Sequence, residues 1–200
     1  MSKKSSPTQS NSKTKKSQAY PEMATTSTVR PTIILGIDPG YGRLGLAVIE
    51  KGKDKETVLF SNCIETDRSE NIYDRFKIIG QEISSIIKKY NPNELAMESL
   101  FVAKNQKTAM RVAEVRGIII YEAVKNNIPI FEYTPLQIKS AITGDGTSDK
   151  TRIIKMIHLL VKIPKKISLD DEYDAIAVAL THSARRLSPT HLSCKNTRIC

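Results

Sequence analysis

The sequence predicts an α/β domain in which helices flank a mixed five-stranded sheet. Three observations support this prediction: three apolar strands follow one another early in the chain, two shorter strands alternate with helices, and the last helix is apolar around most of its circumference. Elements in the order βββαβαβααα bury their apolar sides when helices pack on the faces of one sheet. No internal repeat is apparent, so we expect one domain between polar ends.

The three leading strands are apolar runs separated by turns. Residues 32–38 are almost continuously apolar, as in a buried strand. A glycine-rich turn over 39–43 leads to a second run over 44–50, and a polar turn over 51–55 leads to a third over 57–65. Such short connections predict an antiparallel meander.

Helical spacing and prolines define the later elements. Apolar residues recur at helical spacing before Pro92, which breaks the pattern, and Pro164 ends a later helix. Pro135 opens a helix, because proline fits the first helical turn. In chain order we predict a helix over 71–90, a strand over 94–98, a helix over 108–126, a strand over 129–133, and helices over 135–142, 150–162 and 169–183.

The net charge of +10 lies mainly in two polar end segments. Residues 1–30 hold six Lys/Arg and one Glu, residues 185–200 hold four Lys/Arg and no acid, and residues 31–184 hold 21 Lys/Arg and 20 Asp/Glu. We therefore divide the chain into a basic N-terminal arm (1–30), a folded domain (31–184) and a basic C-terminal tail (185–200). The arm has too few aliphatic residues to fold and is predicted to be disordered. An organellar transit peptide is the alternative interpretation.

Cysteine usage and hydropathy limit the class of protein. Cys63, Cys194 and Cys200 form an odd set without CxxC spacing, which disfavours a disulfide framework or a zinc site and indicates a reducing compartment. Cys63 lies in an alternating apolar run and is predicted to be a core residue. No apolar stretch approaches the roughly 20 residues that span a bilayer.

Acidic side chains stand at the ends of three separate elements. Asp38 and Glu98 end two buried strands, at the sheet edge where α/β proteins bind ligands. Asp171 and Asp174 are three residues apart and share one face of the last helix. Converging carboxylates of this kind can hold two divalent cations, roughly 3.5–4 Å apart, for phosphodiester cleavage. Taken singly, Asp38 could be a turn residue, Glu98 a solvated strand end and Asp171 a helix cap.

Several ordered motifs resemble those of the RuvC family. The resemblance covers roughly residues 32–183. The motifs are ILGIDPG at 34–40 followed by Gly45, ESLFVAKN at 98–105, AEVRG at 113–117, EYTP at 132–135 with QIK at 137–139, and DEYDAIA at 171–177 with TH at 181–182.

This resemblance implies a ribonuclease H-like fold and a homodimeric, structure-selective DNA endonuclease. Such an enzyme resolves four-way (Holliday) junctions in recombination and repair by paired symmetric nicks, with Mg²⁺ (two per subunit) or Mn²⁺, and leaves 5′-phosphate and 3′-hydroxyl ends. It also implies a bacterial cytoplasmic protein, with an organelle as the alternative through the arm, and a branch-migration motor of the RuvA and RuvB type as partner. The implied catalytic and metal-binding residues are Asp38, Glu98, Asp171 and Asp174, and the implied DNA-binding residues are Phe101, Lys104, Lys139 and Lys150.

The sequence also departs from the family pattern. Asp170 is an alternative to Asp171 as metal ligand, although Asp171 keeps the three-residue spacing to Asp174. Without the resemblance, Phe101 would be interpreted as a core residue, since Phe is commonly buried. The other departures are the large residues Glu172 and Tyr173 between the last two acids, and the acidic Asp145 and Asp149 in the loop before Lys150.

Three other classes of protein fit the sequence less well. A different ribonuclease H-like nuclease, such as the YqgF group acting on RNA, is disfavoured by the ESLFVAKN motif. An actin-like ATPase needs a second phosphate loop and an adenosine motif in a longer chain. A non-catalytic DNA-binding protein is disfavoured because all four acids are present. For the homodimer, the helix over 108–126 is the candidate interface, with Ile118 and Ile120 outside its main apolar stripe.

Overall fold

The computed structural model describes residues 31–100 and 106–185. The predicted N-terminal arm, and the C-terminal tail beyond Arg185, lie outside the described residues. The elements in chain order are β1 Ile33–Asp38, β2 Arg43–Glu50, β3 Glu56–Glu65, α1 Ile72–Tyr90, β4 Glu94–Glu98, α2 Gln106–Lys125, β5 Ile130–Tyr133, α3 Pro135–Thr143, α4 Lys150–Leu160, β6 Val161–Lys162 and α5 Asp170–Arg185.

The sheet is mixed, as predicted, but it contains six strands in the order β5-β4-β1-β2-β3-β6. Strands β1, β2 and β3 form the predicted antiparallel meander, and β4, β5 and β6 join in parallel. The prediction of five strands is wrong because helix α4 ends at Leu160, two residues before the predicted end. Val161 is extended and 2% exposed, and it pairs with Glu56. A two-residue strand has no periodicity that a sequence pattern could reveal.

Two apolar clusters fill the two faces of this sheet. One face carries Leu35, Ile37 and Leu46 against α1 and α2, and the other carries Ile34, Ala47 and Ala96 against α3, α4 and α5. Cys63 is buried, as predicted. No helix within residues 31–100 and 106–185 is both long enough and apolar enough to cross a membrane.

Helix α5 lies unusually close to the centre of the sheet. A Cβ added at Gly36 would stand 2.7 Å from the Ala179 Cβ, closer than real Cβ atoms come. A Cβ added at Gly45 would come closer still to the Asp171 carbonyl oxygen. The two glycines therefore let the helix backbone rest directly on β1 and β2, which sets the height of the first turn of α5 above the strand ends.

Candidate active site

Asp38 and Glu98 lie side by side at one edge of the sheet. Strands β1 and β4 are parallel neighbours, and Ile37 pairs with Met97 immediately before the two acids. Both side chains are partly buried. The prediction that these acids stand where the core meets solvent is therefore confirmed.

The first turn of α5 brings further carboxylates to the same edge. Asp38 pairs with Gly45 across β1 and β2, and the Asp171 backbone rests on Gly45. The side chains of Asp171 and Asp174 are 23% and 36% exposed. Three elements that are distant in sequence thus deliver Asp38, Glu98, Asp171 and Asp174 to one place, as the sequence predicted.

Burial and mutual repulsion shift the protonation of three of these carboxylates. Burial raises the pKa of Asp38 to about 7, and the charges of Glu98, Asp174 and Asp171 add to the effect against a smaller opposing effect of Lys150. Burial and the charge of Asp174 raise the pKa of Glu98. Burial also raises the pKa of Asp174, although Lys150 opposes it. Burial is the largest cause in all three cases, and the neighbouring carboxylates add to it.

Asp170 and Asp171 differ in the charged groups that surround their side chains. The Asp170 side chain is 68% exposed and lies 3.4 Å from the Lys150 Nζ. Its charge acts on Asp174 and Lys150, whereas the charge of Asp171 acts on Asp38 at the centre of the cluster. The geometry therefore favours Asp171 over Asp170 as the fourth member of the cluster.

Two lysines predicted to bind DNA lie at this cluster. Lys150 begins α4, and its Nζ lies 3.0 Å from the Asp174 Oδ2. Burial opposes the charge of Lys150, but the hydrogen bond and the charges of Asp174 and Asp170 outweigh it and raise its pKa. Lys139 on α3 is near enough to Glu98 for its charge to oppose the rise in the pKa of that carboxyl. The structure brings both lysines to the acids. Phe101 and Lys104 lie outside the described residues.

The donor set suits a hard divalent cation. Carboxylate oxygens are the ligands that Mg²⁺ prefers, and mutual repulsion here favours an added positive charge. Within residues 31–100 and 106–185, no three Asp, Glu, His or Cys side chains are placed to hold an ion together as they stand. The ammonium of Lys150 meanwhile lies against Asp174. The residues fit the metal by chemistry and charge, and Asp38, Glu98, Asp171 and Asp174 are those that could hold it.

Two arginines at the site were not assigned roles from the sequence. Arg116 of α2 is 8% exposed and donates to the Glu98 carbonyl oxygen at 2.5 Å and to Glu132 at 2.8 Å. Arg116 therefore fixes the end of β4. Its position in the AEVRG motif is the sequence feature that could have indicated a role for it. Arg43 donates to Glu65 at 2.9 Å and lies 3.8 Å from the Asp171 Oδ2. No pattern in the sequence links Arg43 to Asp171.

The large residues between the last two acids point away from the cluster. Glu172 is 4% exposed, accepts from the Ser61 hydroxyl at 2.6 Å and from the Lys165 Nζ at 2.6 Å. The Tyr173 hydroxyl lies 3.0 Å from the His158 Nε2. These contacts hold the start of α5 against its neighbours. The two residues that depart from the family pattern therefore have a structural role.

The acids in the loop before Lys150 also have local roles. Asp145 accepts from the Thr147 backbone N–H at 2.9 Å, and this bond is the largest cause of its lowered pKa. Asp149 caps α4 by accepting from the Arg152 N–H at 2.8 Å. Capping by an acid is common at helix starts. Neither contact requires these two side chains to join the carboxylate cluster.

Comparison with known proteins decides the family. The family described as "Crossover junction endodeoxyribonuclease RuvC" matches residues 34–182. The chain belongs to the RuvC family. RuvC of Thermosipho melanesiensis is 44% identical over 146 residues, which cover 73% of this chain and 93% of the relative. RuvC of Petrotoga mobilis is 42% identical over 156 residues, which cover 78% and 96% of the two chains.

The solved structures agree with this assignment. The structure of T. thermophilus RuvC in complex with a Holliday junction substrate superposes with a TM-score of 0.73 at 27% identity, covering 78% of this chain and 94% of that chain. The ribonuclease H-like fold predicted from the RuvC motifs is thereby confirmed, with β6 as the added strand.

Proposed function

We propose that this chain is a divalent-metal-dependent endonuclease that resolves four-way DNA junctions. The supporting observation is the convergence of Asp38, Glu98, Asp171 and Asp174 from β1, β4 and α5, where burial and neighbouring carboxylates raise the pKa values of Asp38, Glu98 and Asp174. The two RuvC relatives are named crossover junction endodeoxyribonuclease, and the match covers 93% and 96% of their lengths. Both observations favour hydrolysis of phosphodiester bonds in junction DNA.

The four carboxylates would hold Mg²⁺, two ions per subunit, with Mn²⁺ as a substitute. Bound ions lower the pKa of water and stabilise charge on the leaving 3′ oxygen. Asp38 and Glu98 lie on rigid strand ends, and Arg116 holds the Glu98 carbonyl, so the chain fixes two ligands before the metal binds. Lys150 and Lys139 stand beside the acids, where ammonium groups would orient a phosphate. Attack by water would leave 5′-phosphate and 3′-hydroxyl ends.

The test compares neutral variants of the cluster with a neighbouring control. We expect Asp38→Asn, Glu98→Gln, Asp171→Asn and Asp174→Asn each to lower cleavage of a synthetic four-way junction by at least about 100-fold, the lower range for loss of a catalytic group. Junction binding should persist, because phosphate affinity comes from Lys and Arg. Asp170→Asn is the matched control and should keep most of the activity. If any cluster variant cleaves at the wild-type rate, the residue changed in it is not part of the active site.

Homodimerisation would place two such sites on strands of like polarity, because the substrate has two-fold symmetry. Ile118 and Ile120, expected at the interface, are half-buried; Ile118 lies against Gly80 of α1 and Ile120 packs on the core. The outer face of α2 instead exposes a stripe at helical spacing, and we propose this stripe as the interface. It consists of Met110, Ala113, Gly117, Tyr121 and Val124.

Gly117→Glu tests this interface, since a Cβ at Gly117 meets nothing within 4 Å in the subunit. Sedimentation should show a dimer for the wild type at micromolar concentration and a monomer for this variant. Asn62→Glu adds the same charge at an exposed position on β3 and should remain dimeric. A monomeric wild type would contradict the proposal.

A branch-migration motor of the RuvA and RuvB type stays a predicted partner.

A further inference from the structure

A cavity of about 500 Å³ opens beside the carboxylate cluster. Its walls come from the turn after β1, which includes Tyr41, Gly42 and Arg43, from Thr66 and Arg68 after β3, and from α2. The turn begins immediately after Asp38 and Pro39. Pockets for small ligands measure roughly 300–1,000 Å³, so this cavity suits one nucleotide unit rather than a duplex.

Arg43 joins this cavity to the active site. It lines the cavity, and its Nη1 lies 3.8 Å from the Asp171 Oδ2. Its Nε lies 2.9 Å from Glu65, which lines the same wall. A ligand in the cavity would therefore lie next to the acids proposed to bind metal.

A buried arginine holds the wall of the cavity rigid. Arg75 of α1 is 4% exposed and donates to the Tyr41 carbonyl oxygen at 2.6 Å and to the Thr66 Oγ1 at 3.0 Å. Thr66 in turn donates its hydroxyl to the Tyr41 carbonyl oxygen and its N–H to the Gly42 carbonyl oxygen. Within the described part of the chain, no carboxylate lies at ion-pair distance from Arg75. Arg75 therefore fixes the wall of the cavity, and its charge acts on the nearby Asp67.

Arg68 supplies a second positive charge at the opening. Its side chain is exposed, and it forms no ion pair with any residue of 31–100 or 106–185. The Arg68 Nε lies 4.0 Å from where a Cβ on Gly42 would stand, and both residues line the cavity. A guanidinium presents a planar fork of donors that matches the oxygens of a phosphate.

We propose that this cavity binds one nucleotide unit of the DNA strand, adjacent to the phosphodiester that is cleaved, with Arg68 contacting its phosphate. The assignment rests on the proposed function and adds a subsite to it. The cavity has a wall fixed by Arg75, the exposed guanidinium of Arg68 and a link to Asp171 through Arg43, and these three properties together favour the substrate strand as its ligand.

The charge of Arg68 is tested by binding. Arg68→Ala should raise the Kd for a four-way junction about three- to tenfold and reduce the slope of log affinity against log salt by roughly 0.9, the contribution of one phosphate contact on duplex. Lys53→Ala is the matched control, because Lys53 is exposed in the β2–β3 turn at the opposite edge of the sheet. It should change the Kd by less than about twofold. Equal effects of the two variants would overturn the assignment.

The volume of the cavity is tested without changing any charge. Gly42 does not have a positive φ, and the nearest atom to an added Cβ is the Arg68 Nε at 4.0 Å, so alanine fits there without a clash and a longer side chain takes up space beside Arg68 in the cavity. Gly42→Leu should lower the rate of cleavage at saturating enzyme about tenfold or more, whereas Gly42→Ala should lower it only slightly. Thermal unfolding should be similar for both variants. Full activity of a folded Gly42→Leu would overturn the proposal.

A scan with neutral methylphosphonate linkages identifies the phosphate. At one position near the cleaved bond, the neutral linkage should weaken junction binding by the wild type but not by Arg68→Ala. The two changes remove the same contact, so their effects on the binding free energy do not add. If no position behaves in this way, Arg68 does not contact a phosphate. Wild-type cleavage of the same junction with Mg²⁺ separates the two proposals. If the wild type does not cleave, the proposed nuclease function is contradicted. If the wild type cleaves and the cavity variants bind and cleave as it does, only the proposed role of the cavity is contradicted.

Discussion

The backbone of Asp171 rests directly on Gly45, at the point where Gly45 pairs with Asp38. This contact sets the distance between the acids of α5 and the acid of β1. It follows that the geometry of the cluster depends on a residue that carries no charge.

Gly45→Ala should therefore disturb the site. The new methyl group would come closer than 3.0 Å to the Asp171 carbonyl oxygen, so α5 must shift. We expect a loss of about 1–3 kcal/mol of stability, as for other overpacked sites, and a higher metal concentration for half-maximal cleavage. Unfolding by denaturant and metal titrations of activity measure the two effects. Gly80→Ala is the control, since the added Cβ meets Ile118 at 3.4 Å, and an equal response from it would contradict this explanation.

The raised pKa of Asp38 predicts how the stability of the metal-free protein depends on pH. The folded protein holds a proton on Asp38 up to about pH 7, whereas the unfolded chain loses it near 3.8. Stability should therefore fall as pH rises from about 4 to 7 and then level off. Asp38→Asn removes this effect and should be more stable than the wild type at pH 8, by about 1–4 kcal/mol at about 1.4 kcal/mol per pH unit. Chemical unfolding in EDTA at pH 5 and pH 8 measures the difference, and a deficit of the variant at pH 8 would count against the buried, repelled Asp38.

The buried Glu172 should stabilise the start of α5. Burial alone would raise its pKa, but hydrogen bonds from Lys165, Ser61 and the Ser168 N–H outweigh burial and lower it. Its contribution is therefore present above pH 4.5 and is lost as the pH falls. Glu172→Ala should cost about 1–3 kcal/mol at pH 7, because it leaves the buried Ser61 hydroxyl without its acceptor.

Lys165→Ala should cost less than Glu172→Ala. The Lys165 side chain is 44% exposed, and the remaining carboxylate keeps its bonds to Ser61 and Ser168. Thermal unfolding of the two variants gives the order. A Glu172→Ala protein as stable as the wild type would show that this contact does not hold the helix.

Residues 1–30 carry a net charge of +5, and their deletion tests whether this arm contacts DNA. If it does, deletion should weaken binding to junction and linear duplex alike, because phosphate contacts carry no sequence information. The slope of log affinity against log salt should fall by roughly 0.9 per lost contact on duplex. Cleavage at saturating enzyme should not change, since no carboxylate of the cluster lies in the arm. An unchanged slope would show that the arm does not bind DNA.

Much of the fold and the four acids could be predicted because their signals are local. An apolar run that ends in Asp38, or two acids three residues apart, can be seen without knowing the neighbours. Contacts between distant residues could not be predicted in this way. Nothing near Arg43 or Arg75 in sequence shows that one faces Asp171 and the other holds the Tyr41 carbonyl.

The choice between Asp170 and Asp171 was of the same kind. Spacing favoured Asp171, but only the packing of α5 on Gly45 distinguishes the inward acid from the exposed one. The interface on α2 stays a prediction, and the structure adds to it how exposed each residue is. Ile118 and Ile120 are apolar, yet contacts within the subunit half-bury them, while the exposed stripe contains the small residues Ala113 and Gly117. The cytoplasmic location stays a prediction.

The most direct test of the whole account maps nicks on a four-way junction whose strands are 5′-labelled in turn. With Mg²⁺, the wild-type protein should nick two strands of like polarity at symmetry-related positions and leave 5′-phosphate ends, and EDTA should abolish both nicks. Asp38→Asn should bind the junction and nick neither strand. Equal cleavage of linear duplex, or nicking by Asp38→Asn at the wild-type rate, would contradict the assignment of this carboxylate cluster as the active site of a junction-resolving nuclease.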